Sequence, residues 1–208
     1  MAKKELERRS YNFEVRAEET ENGHIITGRP IVYNSRTDLG WYDEIIEPGA
    51  LNGTDLTDVR FLVNHDTSMI PLARSRKNTA NSTMQLMTDN EGLSIRVNLD
   101  IENNSDAKSL YSAVSRGDIS GMSFMFSVDK DSWDDADTEH PTRRIRSIRR
   151  VMEVSAVTFP AYSQTSIQTR GLSDALDSAK DSLESERARI KEIEKHKQKI
   201  RILTEVNK

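Results

Sequence analysis

The chain has no cysteine. Disulfides and thiolate metal sites are therefore excluded, and a reducing compartment is compatible with the composition. It has no apolar run approaching the length of a membrane span, so no membrane is expected as a partner. Met1 to Ser10 is charged and lacks the apolar core of a secretory signal. The expectation is a soluble protein made and kept inside a cell, with 1–10 as a flexible N-terminus. An excess of positive charge is also missing. The net charge of -4 argues against a general nucleic-acid binder. What is present is polar for a globule: 31% charged against 35% hydrophobic residues over 208 positions. That balance suits one domain with an appendage outside its core.

Strand patterns dominate the first two thirds. Tyr11, Phe13 and Val15 alternate with polar residues, and Glu21-Asn22-Gly23 turns the chain into a second strand, His24 to Tyr33. Trp41 to Ile46 is a third, closed by Pro48-Gly49, with Ala50-Leu51 opening a short helical turn. Val59 to His65, Ile70 to Arg76 and Thr83 to Thr88 read as strands, and Asp89 to Gly92 is a hairpin turn into Leu93 to Ile101. Ser105 to Arg116 is the helix of the body, with Ser105 as a cap and Gly117 at its C-terminal end. Asp129 to Pro141 is acidic and poor in apolar residues, and reads as an exposed loop. Five arginines between Arg143 and Arg150 alternate with Ile145 and Ile148. A phosphate-binding stripe, a strand with one basic face and a partner for the acidic loop all fit them.

From Leu172 the composition changes. Leu172, Leu176, Ala179, Leu183, Ile190, Ile193 and Ile200 fall on steps of about four and three, with Glu186 and Lys197 interrupting the seam. An imperfect heptad on a charged helix predicts a coiled-coil or partner-binding tail over 172–208 that touches little of the body. A solvated single helix is the alternative. The polar linker 163–171 would be open to proteolysis.

Three side chains stand out chemically. Ser123 lies in Gly121-Met122-Ser123-Phe124-Met125-Phe126, a hydroxyl in an apolar strand beside a glycine. It is either bonded to a neighbouring carbonyl or a nucleophile. His65 ends an apolar strand face where a loop begins. It is a packed histidine or a general base. Glu153 sits in Val151 to Phe159 among apolar neighbours. It pairs with an arginine or orients a histidine as the acid of a triad. His24 beside its turn and His140 in the acidic stretch read as solvated residues. Ser123 is not in a Gly-x-Ser-x-Gly elbow, since Met125 takes the second glycine's place, which disfavours an α/β-hydrolase.

The order of the pieces carries a resemblance. Glu47-Pro48-Gly49-Ala50 is followed by Asn64-His65-Asp66, then by Asp89 to Leu93. Gly117-Asp118-Ile119-Ser120-Gly121-Met122-Ser123-Phe124 comes next, and Glu153-Val154-Ser155-Ala156-Val157 runs last, to Pro160-Ala161-Tyr162. Over about residues 11 to 170 the chain resembles the prohead (capsid maturation) proteases of tailed bacteriophages, the HK97 type, distantly related to the herpesvirus assembly protease. The resemblance implies a mostly β (α+β) fold: a closed or partly open β-barrel over 11–162, flanked by helices and followed by the charged helical tail. It implies a serine endopeptidase with Ser123 as nucleophile and His65 as base. Glu153 stands where the herpesvirus relative has a second histidine, and His140 is the fallback. The herpesvirus analogy puts oxyanion donors among the backbone N–H groups near Arg149-Arg150. The implied substrates are a scaffold or the N-terminal extension of the major capsid protein, and the protease itself. The implied place is the immature capsid in the host bacterial cytoplasm. Self-association would run through the body's helix or the tail. No metal or organic cofactor is implied. A catalytically inactive assembly or scaffold protein of the same fold is the alternative, and a small-ester hydrolase a further one.

Overall fold

The fold is described by a computed structural model, covering residues 6–11, 15–21, 23–158 and 170–206. Eleven strands and two helices follow one another in this region. Strands β1 (Glu7–Tyr11), β2 (Val15–Thr20), β3 (Gly23–Val32), β4 (Arg36–Asp38) and β5 (Asp43–Ile46) come first. Strands β6 (Asp58–Val63), β7 (Ala73–Arg76), β8 (Met84–Thr88) and β9 (Gly92–Leu99) precede helix α1 (Ser105–Ser115). Strands β10 (Gly121–Asp134) and β11 (Thr142–Val157) form a long hairpin before helix α2 (Arg170–Val206).

The mostly β expectation holds. The strands form two sheets, and their pairings do not close into one barrel among the described residues. One sheet runs β1-β10-β11-β5-β4, with β6 joining β11 and β7 joining β6. The other runs β2-β3-β9-β8. Strand β11 organises the first sheet. Its beginning, Thr142 to Ile145, pairs in parallel with β5, and its end, Glu153 to Ala156, pairs in parallel with β6. The core between the sheets is built from Val, Ile, Leu and Phe, including Ile26, Val59, Phe61, Ile95, Phe124, Phe126 and Val154, all at most 1% exposed. Gly92 opens β9 against Ile31. A Cβ there would lie 2.0 Å from the Ile31 carbonyl oxygen, so only glycine fits this approach.

Helix α1 is capped by Asn104, whose side chain accepts from the amides of Asp106 and Ala107. Ser105, the expected cap, is the first helical residue instead. Gly117 follows the helix at φ +78°, as its position after the last turn demands.

The stretch 129–141 is only in its second half, from Asp135, the largely exposed loop that its composition suggests. Strand β10 continues through it to Asp134, and Trp133 is only 7% exposed. Trp133 stacks on Trp41 at 5.8 Å and packs beside Tyr42. These rings, with Ala136, meet Ala179 and Leu183 of α2. The helix is therefore seated on the body over its described first turns, where the sequence predicts little contact. Ser182 accepts from the Trp133 indole at 3.1 Å and donates to Asp131 at 2.9 Å. Further on, Ile193, Ile200, Ile202 and Leu203 are exposed.

The first residues are likewise not wholly free, because β1 is the outer strand beside β10. Its Glu7 and Arg9 are 1% and 3% exposed and join Glu44 and Arg143 in a buried charge cluster. Arg9 donates to Glu44 at 2.7 Å and to Glu7 at 2.6 Å, and Arg143 donates to Glu7 at 2.8 Å and to Asp131 at 2.7 Å. Thus Arg143 is one of the largest fully buried side chains. Of its neighbours, Arg144 pairs with Asp134 and Glu47, and Arg150 with Asp55. The arginine run is a strand paired in part with the acidic stretch, one of the readings that its sequence allows.

Candidate active site

Strand β6 ends at Val63, and the next two residues, Asn64 and His65, both adopt left-handed backbone angles, φ 51° and 58°. Asparagine tolerates this conformation, whereas at histidine it costs on the order of 1–2 kcal/mol. The turn is held from both sides. The Asn64 amide donates to the Ala156 carbonyl at 3.0 Å, and its side-chain oxygen accepts from the Thr158 amide and hydroxyl. Asp66 accepts from the Ser68 amide and hydroxyl. His65 therefore stands at a strand end opening into a loop, as expected. It does not continue the inward face of Val59 and Phe61, because the turn comes first.

The ring meets β11. His65 Nδ1 is in hydrogen-bond contact with Glu153 Oε1. The second oxygen of Glu153, Oε2, accepts from the Ser155 hydroxyl at 2.6 Å. Ser155 Oγ in turn accepts from the His65 amide at 3.2 Å. Glu153 is 3% exposed, and no arginine reaches it within ion-pair distance among the described residues. Of the two readings of Glu153, the histidine partner is the one present. With Nδ1 directed at a carboxylate, Nε2 is the ring's free position. It is buried and has no hydrogen-bond partner among the described residues.

Ser123 lies on β10 directly across from Ser155 on β11 and from Ser10 on β1. Opposed residues share a face of the sheet about 4.5–5.5 Å apart. Ser123 is thus one strand spacing from the residue that links Glu153 to His65. Its hydroxyl is fully buried, donates to the Arg9 carbonyl at 2.7 Å and accepts from the Ser10 hydroxyl at 2.8 Å. In this conformation it is bonded to β1 and not to His65.

A pocket of about 280 Å³ opens beside the acid, lined by Arg60, Leu62, Met69, Met125 and Glu153 among others. Met125 and Arg60 flank Glu153 across the sheet by register. A second cleft, of about 570 Å³, shares Met69 and runs past Asn64 and Asp66 to Leu110 and Ala113 of α1. The two hollows border the 64–69 loop on either side.

His140 is not brought to this place. It lies 3.3 Å from Asp43 at the start of β11, with a side chain 45% exposed. With Asp38 and Asp43 it forms a trio of metal-ligand types among the described residues, but Arg36 already pairs with Asp43. His24 packs edge-on against Tyr111 at 4.9 Å. Near Arg149 and Arg150 the Asp55 amide donates to Arg149 O, and the Val151 amide is committed to Asp55 O. Sequence reasoning missed Ser155, Ser10 and Arg9. The one available signal for Ser155 was its spacing two residues after Glu153, which puts both on one face of a strand.

Comparison with known proteins gives the chain's family. Residues 11–178 match the family described as Caudovirus prohead serine protease. The prohead protease of Enterobacteria phage HK97 is 31% identical over 161 residues, which is 76% of this chain and 64% of that protein. The chain therefore spans just under two thirds of the length of this relative. The capsid assembly protease of bacteriophage T4 aligns over 75% of this chain and 98% of its own, at 13% identity and a TM-score of 0.45. With the family match covering most of its length, the chain belongs to the Caudovirus prohead serine protease family.

Proposed function

We propose that the chain is a serine endopeptidase of capsid maturation, with Ser123 as nucleophile, His65 as general base and Glu153 as the orienting acid. The observation that carries this is the His65–Glu153 pair, with Nε2 buried and unpartnered among the described residues and Glu153 on β11, the strand paired directly with the one that bears Ser123. In the reaction Ser123 exchanges its bond to the Arg9 carbonyl for one to His65 Nε2. The neutral imidazole then takes the hydroxyl proton as Oγ attacks a peptide carbonyl. Glu153 holds Nδ1–H and stabilises the imidazolium that forms. The proton passes on to the leaving amine, and water, activated by the same ring, releases the acyl group. The apolar pocket beside Met125 and Met69 is suited to a substrate side chain next to the scissile bond.

The substrates follow from the family: a scaffold protein or the N-terminal extension of the major capsid protein, inside the prohead, with self-cleavage at 163–171. Those linker residues lie outside the described region up to 169. The exposed far half of α2, with Ile193, Ile200 and Leu203, serves delivery into the assembling shell. The two packed sheets are read as a partly open barrel.

A second reading, an assembly protein without activity, is favoured by one observation: Ser123 is buried and bonded to β1. Two experiments separate them. A fluorophosphonate should label the full chain at Ser123. Co-expressed capsid protein should be cut by the wild type and left intact by Ser123→Ala. Absence of both label and cleavage would leave the assembly reading in place.

A further inference from the structure

Glu153 and His65 are held by one more side chain, which the triad does not include. Ser155 is fully buried. Its hydroxyl proton goes to Glu153 Oε2 at 2.6 Å, and its lone pair takes the His65 amide at 3.2 Å. We propose that Ser155 is the positioning residue of this site, fixing the acid's carboxylate and the base's backbone against each other. The inference rests on the triad reading above.

The geometry asks for such a residue at two points. A carboxylate turns freely about its last torsion, which has only broad minima. One contact to the imidazole leaves that rotation open. A second donor on the other oxygen fixes the plane of the carboxylate, and Ser155 supplies it. The other point is the backbone. The Asn64 amide makes a bond to the Ala156 carbonyl, and the left-handed turn then carries His65 away from β11. The His65 amide would be left without a strand partner just where the base must be held. Ser155 accepts it, so the loop carrying the base is tied to the residue that orients the acid. The size of the residue matters too. Ser155 is directly opposite Ser123, so a larger side chain would crowd the nucleophile.

The test uses the full chain and a fluorophosphonate, with rates of Ser123 labelling over a concentration series. Ser155→Ala should lower the maximal labelling rate roughly tenfold to a hundredfold, because a misplaced base loses that much. The half-saturating concentration should stay put, because the probe's binding is untouched. Ser155→Cys is slightly larger and only a weak donor and should fall likewise, and any crowding of Ser123 by its sulfur would persist in the Glu153→Ala background used next. The cysteine variant carries the test if the alanine variant fails to fold. In a Glu153→Ala background there is no carboxylate left to orient, so the same Ser155 changes should cost clearly less, only what the lost His65 amide contact carries. A wild-type rate in Ser155→Cys would overturn the proposal. So would an equal loss with and without Glu153, which would mark Ser155 as structural only. The triad reading fails separately: Glu153→Ala labelling at the wild-type rate removes the acid, and a wild type that takes no label removes the nucleophile. Either result takes Ser155's role with it.

Discussion

The two ends of β11 each bury a glutamate partner or a glutamate, and they handle it differently. At the beginning, Arg143 sits among Glu7, Glu44 and Asp131, with Arg9 completing the set. The guanidinium groups are matched by carboxylates, as a buried ionic cluster requires. At the other end, Glu153 is matched on both oxygens, but its partner His65 keeps a buried nitrogen without a bond. A buried polar atom without a partner is a standing free-energy cost. The first end has the form of a structural joint. The second has the form of a site awaiting a proton, and the difference lies in one unfilled position, not in charge or burial.

The sharpest break between the two ends is Ser123→Ala. Cleavage should fall by several powers of ten while the melting temperature stays close to wild type, measured with co-expressed substrate and by thermal denaturation. Glu153→Gln comes next. It should lose roughly four powers of ten in turnover, because the amide can select the wrong imidazole tautomer. A lowered melting temperature with full turnover would move Glu153 to the structural class. Arg143→Met should do the opposite. Leaving the acidic partners short of a cation costs about 3–5 kcal/mol on denaturant unfolding, with turnover per folded molecule retained. Along α2 the same contrast appears at smaller scale. Leu183→Ala should cost about 2 kcal/mol from the Trp133 cluster, while Ile200→Ala stays within about 0.5 kcal/mol.

The smallest effect is a dependence on pH. Burial pushes the Glu7 carboxyl up, but Arg9 and Arg143 outweigh it and hold the group below its ordinary value of 4.5. A lowered carboxylate stabilises the fold above that ordinary value, and the contribution is lost as pH falls through the lowered one. The melting temperature should therefore drop on acidification below about 4.5, with a shallower slope in Glu7→Gln. An unchanged slope in that variant would place the acid sensitivity elsewhere.

Local patterns carried much of this in advance. Alternation marked the Ser123 strand, and the anomaly of an acid among apolar neighbours marked Glu153. Glycine and a polar cap marked α1, though the cap itself moved by one residue. Partners distant in sequence were illegible. Glu7 and Arg9 looked like a solvated end because their counter-charges, Glu44 and Arg143, lie far along the chain. Trp133 was one aromatic in an acidic stretch, and its burial depends on where α2 lands. The same blindness hid that docking, since a heptad seam reads alike whether it meets a second helix or a sheet's flank.

Sequence distance has a consequence for timing. Glu7 joins Arg143 across 136 residues, and His65 joins Glu153 across 88. Contacts this remote form only after long loops close, and a ribosome delivers β11 after every other described strand. Until then the chain holds a histidine without its acid and an outer strand without its counter-ions. On the proposed reading a half-made copy would be inert, because His65 and Glu153 meet only in the finished body of the protein.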